Sequence, residues 1–336
     1  SGADYRGVVT DTDARPVPPV AARRITARIH HGDTFDDPYE WLRDKEDAEV
    51  IAHLEAENAY TTGRTAHLDG LRERIFQEIK GRTLETDLSV PTRKGDWWYY
   101  GRTVEGKQYG IQCRAPLASR DDWTPPELRP DVPVPGEQVL FDGNVEAEGN
   151  EFFSLGSFEV SNDATRMLYG VDVAGDERYT VRVRDLGTGR DLPDVIPDTF
   201  AGATFSPDGR FVVYTTVDDA WRPDTVWLHE LGTPASEDVK LFHEPDERFW
   251  VGADFTRSDR YLVIGVGSSV TSEEWLVDAD DLRGEPRIVW PRREGVEYGS
   301  EHAMVGGEDV LYILHNDEAL DFELVRVAAS DPSGPR

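Results

Sequence analysis

A polar turn followed by a run of β-forming apolar residues occurs four times from residue 161 onward. Ser161-Asn162-Asp163 precedes Met167-Leu168-Tyr169, and Ser206-Pro207-Asp208-Gly209 precedes Phe211-Val212-Val213-Tyr214. Thr256-Arg257-Ser258-Asp259 precedes Tyr261-Leu262-Val263-Ile264, and Val305-Gly306-Gly307-Glu308-Asp309 precedes Val310-Leu311-Tyr312-Ile313-Leu314. The turns begin at 161, 206, 256 and 305, a period of 45 to 50 residues. Each unit continues into further strands, such as Tyr179 to Arg184, Thr225 to Leu228 and Phe322 to Val327. That period with three or four strands per unit is the signature of a propeller blade. The runs after the turns, read here as first strands, are apolar at consecutive positions, so both faces are buried, whereas a half-exposed sandwich strand would alternate. A more divergent unit, Lys94 to Tyr100 with Tyr109 to Arg114, brings the count to five. The Pro-rich stretch Pro116 to Gly136 reads as a surface insertion separating it from the next unit.

Upstream the period changes. Val50, Ile51, Leu54 and Ala59, then Leu68, Leu71, Ile75 and Ile79, fall at helical spacing, which predicts helices over 46–63 and 67–80. Residues 1 to about 43, with Pro16, Pro18, Pro19 and Pro38, read as an irregular arm. The expected organisation is an arm and two helices over 1–85, then β units at about 91–157, 158–202, 203–252, 253–300 and 301–336 within 86–336. Ser1 and the loop-like Ser330 to Arg336 read as cut ends, and termination at Arg336 fits nicking after a basic residue.

Of 336 residues, 66 are Asp or Glu and 36 are Lys or Arg, a formal charge of -30. Such a field disfavours nucleic acid and anionic membranes and raises the local concentration of cationic ligands, such as peptides carrying Arg or Lys. A solubilising role is the plainer reading of the same charge. One cysteine, Cys113, cannot form an intrachain disulfide, so the cytoplasm is the expected compartment. No apolar run reaches the ~20 residues of a membrane-spanning helix.

Residues able to carry chemistry are scattered. His30-His31 with Asp33 is read as surface, since neighbours in an extended arm diverge and no third metal ligand is evident. The histidines at 53, 67, 229, 243, 302 and 315 fall one per element. Asp218-Asp219, Glu273-Glu274 and Asp280-Asp281 match no calcium loop and read as solvated edges. Cys113 reads as a buried structural thiol not activated by Arg114, its strand neighbour. No Gly-x-Ser-x-Gly is present, and Gly265-Val266-Gly267-Ser268-Ser269 reads as a turn that precedes no helix. No catalytic, cofactor-binding or metal-binding residue is therefore assigned, and no serine bonded to a histidine is expected.

Several segments together carry a resemblance: Asp37-Pro38-Tyr39 with Trp41-Leu42, Leu54 to Tyr60, Gln77 to Lys80, Ser89-Val90-Pro91, Gln108-Tyr109 with Cys113-Arg114, and Leu140 to Asn144, the last matching a strand and turn that enter a second blade. In order and spacing they resemble the prolyl oligopeptidase family of serine peptidases. Val226 to His229 with Leu231 to Asp238, and Pro291-Arg292-Arg293 with Glu297-Tyr298 and His302, resemble its oligopeptidase B branch.

The resemblance implies a mainly β chain: five blades of a seven-bladed propeller, preceded by a helical segment that packs on an α/β-hydrolase domain absent here. It implies that a Ser-His-Asp triad lies in a C-terminal half that is the chain's partner, and that the whole enzyme cuts short peptides after Arg or Lys while the propeller excludes folded proteins. No cofactor is implied. Without that half, the apolar stripe of the two helices would be exposed. The alternative, from a different class, is a stand-alone propeller that binds a partner and catalyses nothing.

Overall fold

The computed structural model describes residues 17–129 and 132–334, so the predicted features at Pro16 and Arg336 lie outside the described residues. It divides into two compact units at Leu84 and Glu85.

The first unit corrects the irregular arm. Thr26–His30 (β1) and Asp33–Asp37 (β2) pair as an antiparallel hairpin with His30 opposite Asp33. The two-residue turn places His31 at φ 49° and Gly32 at φ 82°, the left-handed pair that matches the twist of a tight hairpin. Trp41 Nε1 then donates to the Ala22 carbonyl at 2.8 Å, while Arg24 lies over the Trp41 ring and pairs with Glu49. Arg28 reaches both Asp37 and Glu40, at 3.1 and 3.0 Å. The helices form as Ala48–Thr65 (α1) and Asp69–Arg82 (α2), each starting two residues past the predicted position, with a 3-10 turn between them. Asp47 explains the start of α1, because its carboxylate accepts the Glu49 N–H at 2.7 Å. In α1 only Val50 is buried; Leu54, Leu71, Ile75, Phe76 and Ile79 are 46% to 62% exposed.

Among the described residues the second unit holds five antiparallel sheets in chain order. The first comprises Thr92–Lys94 (β3), Trp97–Arg102 (β4), Ile111–Pro116 (β5) and Gln138–Asp142 (β6). A short helix, Gly143–Glu146 (α3), leads to Ser154–Val160 (β7), Arg166–Asp172 (β8), Tyr179–Asp185 (β9) and Arg190–Thr199 (β10). Next come Thr204–Phe205 (β11), Phe211–Val217 (β12), Pro223–Glu230 (β13) and Val239–His243 (β14), then Trp250–Phe255 (β15), Tyr261–Gly267 (β16), Ser272–Asp278 (β17) and Arg287–Ile288 (β18). The fifth sheet has Tyr298–Val305 (β19), Glu308–His315 (β20) and Glu323–Ala328 (β21).

Three expectations shift. The apolar runs are second strands, not first: each turn joins a less apolar first strand to the run, so the limits at 157/158, 252/253 and 300/301 fall inside β7, β15 and β19. The Pro-rich stretch lies within the first sheet, because β6 pairs with β5; Leu140-Phe141-Asp142 ends that sheet instead of entering a second. Leu128 and Val134 of the stretch pack on its core of Tyr100, Cys113 and Ala115.

The sheets are glued face to face. Along β8, Met167 and Tyr169 point to a cluster with Phe141 and Phe153, while Leu168 between them points to one with Phe205 and Val212. Along β12, Val212 and Tyr214 join the latter and Val213 joins a cluster with Leu262 and Ile264. Tyr261 and Leu276 meet Leu311 and Ile313 of the fifth sheet. The second strands β8, β12 and β16 are thus buried on both faces by their neighbours, as their consecutive apolar runs require, whereas Leu314 of β20 in the last sheet is exposed. Leu168→Ala, at a fully buried position, is expected to cost about 2–5 kcal/mol, measured as a lower midpoint in urea unfolding; a loss under about 0.5 kcal/mol would show that this seam is loose.

Candidate functional site at the inner strands and their turns

The first strand of each sheet and the turn after it bring charged side chains from several sheets together. A cavity of about 260 Å³ is lined by Lys94, Glu159, Asn162, Asp254, Arg257 and Asp259, among others. Glu159 on β7 is its hub, accepting from the Phe205 N–H and the Thr204 hydroxyl, both at 2.8 Å, with Lys94 Nζ 3.8 Å away. Burial pushes this carboxyl above the ordinary glutamate value, and those hydrogen bonds and the ammonium oppose it. Asn162 donates to Asp259 at 3.0 Å, joining the turns of the second and fourth sheets. The cavity can accept polar and charged groups of either sign.

The opposite, loop end of the sheets is also built from charge and aromatic rings. Arg292 binds Glu273 and Glu244, both buried, and its guanidinium lies 4.2 Å from the Phe249 ring. Arg222 donates from one nitrogen to the carbonyls of Glu244, Asp246 and Phe249 at 2.8 to 3.2 Å. Beside them Phe200 meets Trp221 and Trp250 edge-on, each at 6.4 Å. Trp221 is held at φ 68°, a conformation rare for a bulky side chain.

The acidic pairs are only partly solvated edges. Glu273 and Glu274 point to opposite faces of β17, as strand neighbours must: Glu273 belongs to the Arg292 network, while Glu274 accepts the Ser300 N–H at 2.8 Å and its hydroxyl at 2.5 Å. Burial holds the Glu274 carboxyl at about 6. Asp218 closes its own loop by accepting from Arg222, whereas Asp280 is exposed beside Arg260. The fold therefore binds a proton at Glu274 that the unfolded chain releases at lower pH, so this residue favours the fold below about pH 4.5 and loses that contribution as pH rises through 6. Glu274→Gln is expected to shrink the stability lost between pH 4.5 and 7 by about 2 kcal/mol; parallel pH profiles of the two proteins in denaturant unfolding would refute this.

Cys113 is 1% exposed, and burial pushes its thiol up to about 11. Arg114 turns away to stack over Trp97 at 3.9 Å and to bond Gln138 and the Ala164 carbonyl. Cys113 is expected to react with a thiol reagent only after denaturant is added; stoichiometric labelling of folded protein at pH 7.5 would contradict that.

His30 and His31 do not diverge: the hairpin turn sets their rings 4.1 Å apart, edge to face. Among the described residues no group of three or more His, Cys, Asp and Glu side chains is arranged to hold a metal ion, and no helix is long and apolar enough to cross a membrane. His229 is fully buried between Asp194 and Asp238, at 3.1 and 2.7 Å. Gly265 to Gly267 complete β16, and Ser268 begins the turn to β17, with no helix after it.

One expectation is overturned outright. Ser258 Oγ lies 2.6 Å from His302 Nδ1, and His302 Nε2 bonds Asp309. Sequence reading missed this because the three residues come from the β15–β16 turn, β19 and β20. The signal was nonetheless present. Ser161 and Ser206 each bond an aspartate two residues on, Asp163 and Asp208, at 2.6 Å, whereas the corresponding pair in the next unit is Thr256 and Ser258. The serine stands where the repeat keeps an aspartate, and an imidazole from the neighbouring sheet has become its partner. In a hydrolase triad the serine faces Nε2 and the carboxylate Nδ1; here the ring is reversed, and the serine sits in a strand-to-strand turn instead of a strand-to-helix elbow.

Comparison with known proteins agrees with this architecture. The family profile described as the prolyl oligopeptidase N-terminal beta-propeller domain matches residues 18–335. Dipeptidyl aminopeptidase BI of Pseudoxanthomonas mexicana is 34% identical and Protease 2 of Moraxella lacunata 33%, each over 94% of this chain and 44% of the relative. Among solved structures, oligopeptidase B from Leishmania major superposes with a TM-score of 0.81 at 29% identity, and oligopeptidase B from Trypanosoma brucei with covalently bound antipain at 0.79 and 31%. Each match covers 94% of this chain and 45% of the other. The chain thus spans less than half the length of these relatives. The stacked sheets, the preceding helices and the profile match lead to one assignment: this chain belongs to the prolyl oligopeptidase family and forms its N-terminal propeller region.

Proposed function

We propose that this chain is the N-terminal and propeller portion of a serine oligopeptidase that hydrolyses short peptides after Arg or Lys in the cytoplasm. The catalytic triad is supplied by a C-terminal half of the same gene product. In this reading residues 1–85 belong with the hydrolase domain, and five blades of a seven-bladed propeller follow. The observation that carries it is the likeness to two oligopeptidase B structures across 94% of the chain. The exposed apolar residues of α1 and α2 fit a surface that a further domain covers. The net charge of -30 fits attraction of basic peptides.

In the whole enzyme, histidine-activated serine attacks the scissile carbonyl, backbone N–H groups hold the oxyanion, and water releases the acyl group. This chain's part is exclusion, admitting peptides and keeping folded domains out. The test joins the chain to the triad-bearing half and measures cleavage of a fluorogenic Arg-Arg peptide, its Ala-Ala counterpart, and a folded protein displaying Arg-Arg in a loop. The expected result is cleavage of the first at least about a hundredfold faster than the second, with the third intact. Equal rates on both peptides would remove the basic specificity, and cleavage of the folded protein would remove the gating role. A chain that never joins such a half and binds a partner alone would establish a non-catalytic module.

A further inference from the structure

We propose that Ser258 is an intrinsically reactive hydroxyl, a covalent acceptor for acyl or phosphonyl groups that is separate from any family triad. Asp309 presents carboxylate oxygens to His302 Nε2, so that nitrogen carries the proton and donates. Nδ1 is then the acceptor, and the bond at 2.6 Å is donated by Ser258 Oγ–H. The same oxygen accepts from Thr256 Oγ1 at 3.0 Å, whose own oxygen accepts the Tyr261 N–H at 3.1 Å, and from the Arg260 N–H at 3.3 Å. One proton is thus aimed at a base while two donors fix the oxygen in place.

Orientation is held from below as well. His302 is 4% exposed and packs edge-on against the Tyr261 ring at 5.2 Å. Ser258 itself is exposed at the turn, so an electrophile can approach from solvent. A serine, an imidazole that accepts its proton and a carboxylate behind the ring are the components of nucleophile activation. The contacts of Ser258 include no paired N–H groups placed for an oxyanion, so the expected chemistry is a single modification event, not turnover.

With a fluorophosphonate, the step balances as follows. The Ser258 Oγ–P bond forms, the P–F bond breaks, fluoride departs, and the hydroxyl proton passes to His302 Nδ1, with Asp309 stabilising the imidazolium. An activated acyl ester would react in the same way, releasing its alcohol.

The experiment treats the whole protein as expressed from its gene with a fluorophosphonate probe and maps adducts by peptide mass spectrometry. A triad serine in the remaining half would appear on a different peptide, so failure of this proposal and failure of the peptidase reading are separately visible. Ser269, exposed in the next turn, is the internal reference. Ser258 is expected to label about a hundredfold faster than Ser269. Asp309→Asn, which removes the negative charge that stabilises the imidazolium, is expected to remove that advantage in protein that still unfolds cooperatively. Labelling of Ser258 at the rate of Ser269, which needs no variant to observe, would overturn the proposal. So would Asp309→Asn protein that labels as fast as the wild type.

Discussion

The sheets of the second unit depend on one another: apolar side chains pressed between consecutive sheets form four of its core clusters, and the first sheet adds a small one of its own around Tyr100, Cys113 and Ala115. A strand such as β8 sends Met167 and Tyr169 one way and Leu168 the other, so its burial depends on having a sheet on each side. Backbone hydrogen bonds complete each sheet, but the burial of apolar surface that favours folding is realised mainly at the seams. Stability in such a repeat is approximately a sum over neighbours. The chain order of the sheets and their order in contact therefore coincide.

That dependence explains what could be read from the residues. Consecutive apolar runs announce strands buried on both faces, and turn clusters such as Ser206-Pro207-Asp208-Gly209 announce where chains reverse. Both signals are local, and the sheets follow from them. The first strands were harder to see, because β7, β15 and β19 mix charged and small residues with apolar ones, and β7 and β15 put Glu159 and Asp254 into the cavity. Reading the unit from its loudest strand displaced its limits into β7, β15 and β19. The hairpin at His31-Gly32 escaped notice for a similar reason, its turn lacking the Asn-Gly or Asp-Gly pair that usually marks such a reversal.

Side-chain partnerships were legible only where both members share a strand or a turn. Arg292 with Glu244, Glu159 with Thr204, and Ser258 with His302 and Asp309 all bridge separate elements, and spacing along the chain carries no information about such pairs. The acidic composition invited a picture of charge dispersed in solvent. Yet Glu273, Glu244, Asp194 and Asp238 are buried and paired. Burial of ions is costly unless partners and hydrogen bonds compensate, and here each carboxylate meets an arginine or histidine. The fourth unit replaces the Ser-x-Asp turn of the second and third with Thr256-x-Ser258 and takes His302 of the fifth sheet as the serine's partner, so a deviation between successive turns locates a junction that composition cannot.

The face-to-face seams also set how the molecule deforms. Within a sheet every displacement bends directional N–H to C=O bonds, whereas the apolar contacts between sheets have no preferred direction. Motion should therefore concentrate at the joints and leave each plate rigid. Polar rivets that cross those joints, such as Ser258 to His302 and Glu159 to Thr204, mark where sliding is arrested, and Asn162 to Asp259 ties the second sheet to the fourth. A protein assembled in this way is a stack of stiff leaves with compliance confined to the spaces between them.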